Sequence, residues 1–241
     1  MIRGVLGSRA SIGGVLGQGR GGAAAQWWLS GGVSASNCIA AYTPKGAASL
    51  AASYDNNAAP GNGLADGTYD AAPGVAPTFD AAAGWMFNGS TQYLTTGIAP
   101  AAGYSMIARI SGGSTSGTRT VMGTVRISAP IARFYMRSVD AGTGRSFGYG
   151  DTGTVLNAGL RPALTSGTIA IVDDTGYVNG SVDIDSNGTW ITTALTITIG
   201  GEQRDASVTN YFLGSVLAAA IYDTTLSAAQ VAAISAAMAA L

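Results

Sequence analysis

Short runs of alternating apolar and polar residues begin near residue 26 and recur to residue 222, the two-residue period of strands with one face in a core. The pattern falls on Trp85–Phe87, Gln92–Thr95, Tyr104–Ile110, Thr120–Ile127, Ala132–Val139, Thr168–Val172, Gly176–Val178, Leu195–Ile199 and Phe212–Tyr222. Asn88-Gly89, Asn179-Gly180 and Asn187-Gly188 punctuate it, dipeptides that accept left-handed backbone at hairpin turns. Many short strands without helical segments between them predict an antiparallel sandwich or jelly roll. Residues 54–79 break the alternation and are rich in Gly, Pro, Asn and Asp. They read as one long loop, either functional or packed down by Tyr54, Tyr69 and Phe79.

The period changes once. Val231, Ile234, Met238 and Leu241 recur at helical spacing in an alanine-rich segment, and Ser227 with Gln230 fits the S-x-x-Q capping box. A short helix over 226–241 is expected to lie on the sandwich by that single stripe.

Residues 1–26 follow neither period. They are glycine-rich, carry Arg3, Arg9 and Arg20 with no acid, and repeat Val-Leu-Gly at Val5-Leu6 and Val15-Leu16. Ordering such a chain costs on the order of 1–2 kcal/mol per residue. The reading is an arm, residues 1–26, that lies across a partner, followed by one domain, residues 27–241. Trp27 and Trp28 close the arm. Neighbours on a strand face opposite ways, so one ring enters the core and the other docks on a partner, or both pack a hinge.

Composition narrows the chemistry. Only 10% of the 241 residues are charged, against about 25% in ordinary domains, which points to surfaces covered by neighbours. There is no histidine, so a Ser-His-Asp triad and His-ligated zinc are excluded. Cys38 is the one cysteine and Glu202 the one glutamate, so neither an internal disulfide nor a Glu/Glu acid–base pair can form. A non-enzymatic protein is expected, with no cofactor. Calcium is the open case. Asp173, Asp174, Asp183 and Asp185 offer oxygen ligands, or are solvated turn carboxylates. Arg126, Arg133 and Arg137 share strands with Phe134 and Tyr135, which makes a sugar- or polyanion-facing surface or a solvated strand face. The arm arginines come without lysines or aromatics, so direct contact with nucleic acid is not expected. No segment reaches about 18 consecutive apolar residues, and the start lacks a continuous apolar stretch. The expectation is a protein made in a cytoplasm without a signal peptide and without membrane insertion.

Four motifs then recur in order. They are Phe87-Asn88-Gly89 leading to Tyr93-Leu94, the Tyr177-Val178-Asn179-Gly180 hairpin, Ile197-Thr198-Ile199-Gly200, and Phe212-Leu213-Gly214 running through Ile221-Tyr222 to Leu226-Ser227. Together they resemble the laminin-G-like, concanavalin A-like jelly-roll domains, of the kind found in bacteriophage virion structural proteins. The resemblance implies an all-β, antiparallel sandwich with an extended N-terminal arm and a short C-terminal helix. It also implies a function: a virion component, whether capsid decoration, head fibre or tail protein, anchored by its arm to other virion proteins and to copies of itself. The projecting lectin-like sandwich would then meet host glycans. The alternative is a carbohydrate-binding module or adhesin of a bacterial cell surface. The glycosidase branch of this superfamily carries an E-x-D-x-E strand signature, which is absent here.

Overall fold

The computed structural model describes residues 26–141, 144–151, 161–185 and 188–241. Two sheets face one another. Sheet A runs in the order β12 (Ser181–Asp185), β11 (Thr175–Val178), β10 (Gly167–Val172), β6 (Ser105–Ser111), β16 (Leu213–Tyr222), β4 (Gly84–Asn88) and β3 (Thr78–Asp80), with β1 (Cys38–Tyr42) also paired to β16. Sheet B runs β15 (Ser207–Thr209), β14 (Glu202–Arg204), β7 (Arg119–Arg126), β13 (Thr198–Ile199), β5 (Tyr93–Thr95) and β2 (Ala72–Val75). On its other side β7 pairs with β8 (Ala132–Asp140), which pairs with β9 (Gly144–Gly150). The pairings are antiparallel except β14 with β7, a short parallel pair matching Gln203 to Thr124. The sandwich class expected from the alternation is therefore the observed one.

The shared core fills the space between the sheets. Trp85, Phe87, Met106, Ile110, Ile169 and Ile221 enter it from sheet A, and Leu94, Met122, Phe134, Met136, Phe147 and Ile199 from sheet B. Leu195–Ile199 contributes only a two-residue strand, yet Ile197 is fully buried, and its N–H donates to Ile98 O at 2.8 Å.

Sheet A is buried on its other face as well. Ala41, Ile107, Ala170, Ala218, Ala220 and Tyr222 point outward into a second cluster with Val231, Ile234 and Met238 of the C-terminal helix, α2 (Ala228–Ala239); the only other α-helix among the described residues, α1 (Leu50–Ser53), is a single turn. Small alanines on the strands let the helix come close. The capping box forms as expected: Gln230 N–H donates to Ser227 Oγ at 3.2 Å, and Ser227 N–H donates to Gln230 Oε1 at 2.9 Å.

Of the two readings of Trp27 and Trp28, the structure has both packed as a hinge and neither ring turned out towards a partner. They form a 3-10 turn, Trp27–Leu29, and both rings turn into the second cluster, edge to face with centroids 5.5 Å apart. Trp27 Nε1 donates to Thr43 Oγ1 at 3.0 Å, and Tyr222 OH donates to Trp28 O at 2.9 Å. The loop after α1 is held by buried Asn56. Its Oδ1 accepts from Ala41 N and Ala58 N at 2.9 and 3.0 Å, and its Nδ2 donates to Ile39 O and Thr68 O, both at 2.9 Å.

Candidate functional site

The outer face of sheet B gathers five charged side chains, Arg133, Arg137, Asp140, Glu202 and Arg204, around one pocket. On β8, Phe134 and Met136 point into the core, so the intervening Arg133, Tyr135 and Arg137 point away from it. Tyr135 sits opposite Gly123 of β7 and Gly148 of β9. A Cβ at Gly148 would fall 2.2 Å from Tyr135 Cε1, so only glycine there lets the ring lie against the sheet. The Arg137 guanidinium covers that ring, 4.0 Å from its centroid.

Arg137 then gathers two carboxylates. Its Nε and Nη2 donate to Glu202 Oε2 at 3.0 and 2.6 Å, and its Nη1 donates to Asp140 Oδ2 at 2.7 Å. Glu202 is fully buried. Its Oε2 also accepts from Thr120 Oγ1 at 3.0 Å, and its Oε1 from Asn210 Nδ2 at 3.2 Å. Asp140 accepts from Thr118 Oγ1 and Ser146 Oγ, each at 3.0 Å. Burial opposes the charge on Arg137, but Tyr135, Glu202 and Asp140 outweigh it and hold the guanidinium pKa above its ordinary value. Burial pushes the Tyr135 phenol up, against the pull of Arg137.

Above this network lies a cavity of about 300 Å³, whose walls include Arg133, Arg204, Asn210, Val125 and Ile127. Arg133 Nη1 donates to Asp151 O at 2.9 Å, and Ile127 is 47% exposed at the rim. Asn210 leads directly to Tyr211, whose ring is paired with Tyr93 at 6.3 Å between centroids. Both rings are partly exposed, and Tyr93 lies on the outer face because Leu94 beside it enters the core.

Of the group expected from the sequence, Arg133, Tyr135 and Arg137 line this pocket, Phe134 goes to the core, and Arg126 is not among the lining residues, its Nε donating to Pro130 O at 2.9 Å. Glu202, Arg204 and Asn210 were not expected there; β14 and the chain after β15 bring them to β7 and β8 by tertiary pairing alone. The one available signal was a lone glutamate directly after an apolar strand. Of the expected arm contacts, Arg3, Val5, Leu6, Arg9, Val15, Leu16 and Arg20 lie outside the described residues, as does Asn187 of the third turn signal.

The aspartates divide. Asp183 accepts from Arg145 Nε and Nη2 at 2.8 and 2.6 Å and is 3.0 Å from Arg161 Nη1. Burial would raise its pKa, but these two arginines more than reverse that and lower it. Asp174 shifts the other way, raised by burial and by Asp185 and Asp173 nearby. Among the described residues no group of His, Cys, Asp or Glu side chains has a metal-holding arrangement.

No family model and no curated protein matches this chain. Solved structures do. Domain 4 of AbnA, a GH43 extracellular arabinanase from Geobacillus stearothermophilus, in complex with arabinotriose, matches with a TM-score of 0.54 at 16% identity, over 83% of this chain and 98% of that one. A mutant of Trypanosoma rangeli sialidase displaying trans-sialidase activity matches with a TM-score of 0.52 at 16% identity, over 84% of this chain. The match covers 33% of that sialidase, so this chain corresponds to about a third of it. At this identity the likeness is one of fold, the β-sandwich.

Proposed function

We propose that this chain is a non-catalytic glycan-binding sandwich carried on a virion, where residues 1–26 anchor it and the outer face of sheet B meets sugars. The observation that carries the glycan reading is the polar pocket on the outer face of sheet B. Arg133, Arg204 and Asn210 place donors around a cavity with an apolar wall at Val125 and Ile127, and partly exposed Tyr211 follows Asn210 in the chain. A sugar presents the matching chemistry, hydroxyls that need directed partners and C–H faces that pack on apolar side chains. The neighbouring arabinanase domain, in complex with arabinotriose, gives a precedent for a short oligosaccharide on this architecture.

The non-catalytic part rests on the carboxylates. A glycosidase needs carboxyl groups free to reach the glycosidic oxygen and a water or anomeric carbon. Here the oxygens of Glu202 and Asp140 are already bonded to Arg137, Thr120, Asn210, Thr118 and Ser146. The virion part rests on the cationic, glycine-rich arm and on the low overall charge. The clamped Trp27-Trp28 turn supports it by giving that arm a fixed point of departure.

The test is binding to a panel of arabino-oligosaccharides and bacterial surface glycans. Wild type binds at least one, and Arg204→Ala and Asn210→Ala each weaken that binding about tenfold while the fold is unchanged. No affinity across the panel, or variants that bind like wild type, would overturn the glycan reading. Deleting residues 1–26 leaves the domain folded but unable to enter its particle, and normal incorporation would end the anchor proposal.

A further inference from the structure

We propose a second ligand site on the opposite side of the molecule, between sheet A and α2, for a small hydroxy-carboxylate. A cavity of about 290 Å³ opens there, lined by Arg109 of β6, Thr168 of β10, Asn179, and Ser235 with Ala232 and Ala236 of α2. Thr168 is 4% exposed and Ser235 6%, yet neither Thr168 Oγ1 nor Ser235 Oγ finds a hydrogen-bond partner in the protein. Burying a hydroxyl without a partner is destabilising, and two such groups lining one cavity point to a ligand that completes them.

The remaining groups set its charge. Arg109 Nη1 donates to the Met238 carbonyl in the last turn of α2, and its Nε and Nη2 make no hydrogen bond among the described residues. Asn179 Oδ1 accepts from Thr168 N–H at 2.9 Å, which leaves its Nδ2 to donate. A Cβ at Gly167 would fall 2.3 Å from Asn179 Oδ1, so glycine there is what admits the amide. No carboxylate lines the cavity among the described residues. One fixed positive charge, a guanidinium edge able to grip two oxygens, and two hydroxyls that donate or accept together match a carboxylate with a neighbouring hydroxyl. Ala232 and Ala236 are exposed at the mouth and leave it open to small molecules.

The full chain, labelled with nitrogen-15, would be titrated with D-glucuronate, and with D-glucose as the neutral counterpart. Glucuronate should saturate, with amide shifts centred on residues 168, 179 and 235, and glucose should bind at least about tenfold more weakly. Thr168→Val and Ser235→Ala should keep or raise the melting temperature without ligand while weakening glucuronate about tenfold. A purely structural hydroxyl would show neither half of that pattern. Ala236→Leu, an exposed helix position, should close the mouth and abolish binding with the fold intact, and Arg109→Gln should erase the preference for glucuronate over glucose. Shifts centred on residues 133, 204 and 210 instead would put glucuronate in the sheet B pocket, so this site and the glycan pocket fail separately. Absent saturation, equal binding of glucose, shifts confined to sheet B, or variants of this cavity that bind like wild type would each overturn the proposal and leave a merely hydrated cavity.

Discussion

β16 and β8 each send alternate residues away from the common core, and the two outer faces they build differ in nearly every respect. From β16 come Ala218, Ala220 and Tyr222, which meet α2 and the Trp27–Trp28 pair in an apolar cluster. From β8 come Arg133, Tyr135 and Arg137, with no helix among the described residues above them and a buried Glu202 beside them. Small apolar side chains make a face that another element can cover. Large charged ones must satisfy each other, and a network anchored in the sheet leaves a shaped, polar surface in front of it. The apolar packing under α2 serves stability, and the proposed glycan pocket lies on the other face.

The largest effect that can break this contrast is on the charged side. Arg137→Met strands fully buried Glu202 without its cation and should cost about 3–5 kcal/mol in urea unfolding. A loss under about 1 kcal/mol would mean the network behaves as an ordinary solvated surface. On the apolar side, Ile234→Ala removes a fully buried anchor of α2 and should cost about 3 kcal/mol. Loss of the cap in Ser227→Ala should cost about 1 kcal/mol, read from the same unfolding curves.

The smallest effect concerns the seam where the two sheets meet, Arg145 of β9 with Asp183 of β12. The Asp183 pKa is lowered in the folded state, so its contribution is present above the unfolded value, about 3.9, and fades as pH falls through the folded one. Unfolding midpoints should therefore drop more steeply below about pH 4 in wild type than in Asp183→Asn. Parallel curves would show that the seam contributes nothing.

Much of this was legible in the residues, for identifiable reasons. Strands with one face in the core announce themselves by alternation, whereas Arg126, Arg133 and Arg137 read as one group with Phe134 and Tyr135, because which of the two aromatics turns inward is fixed only by the sheet packing. β1 did not, because Cys38, Ala40, Ala41 and Tyr42 are buried on both faces and its sequence does not alternate. β9 was hidden by its glycines, of which Gly148 makes room for Tyr135 and Gly150 for the Thr189 carbonyl. The Trp27-Trp28 pair read as splayed strand neighbours or as a packed hinge, because adjacency alone cannot distinguish a pleat from a 3-10 turn. Glu202 was visible only as a missing catalytic partner, since nothing local shows that β14 will lay it against Arg137. The helix and its cap were fully local, and both stand where the pattern put them.

The central claim is that the outer face of sheet B is the recognition surface. Amide shift mapping of the nitrogen-15-labelled chain with arabinotriose, followed by the best glycan of the panel, tests it most directly. The account predicts saturable shifts clustered at Ile127, Arg133, Arg204, Asn210 and Tyr211, with α2 unmoved. Shifts that gather on α2 and sheet A, or none at saturating sugar, would contradict it.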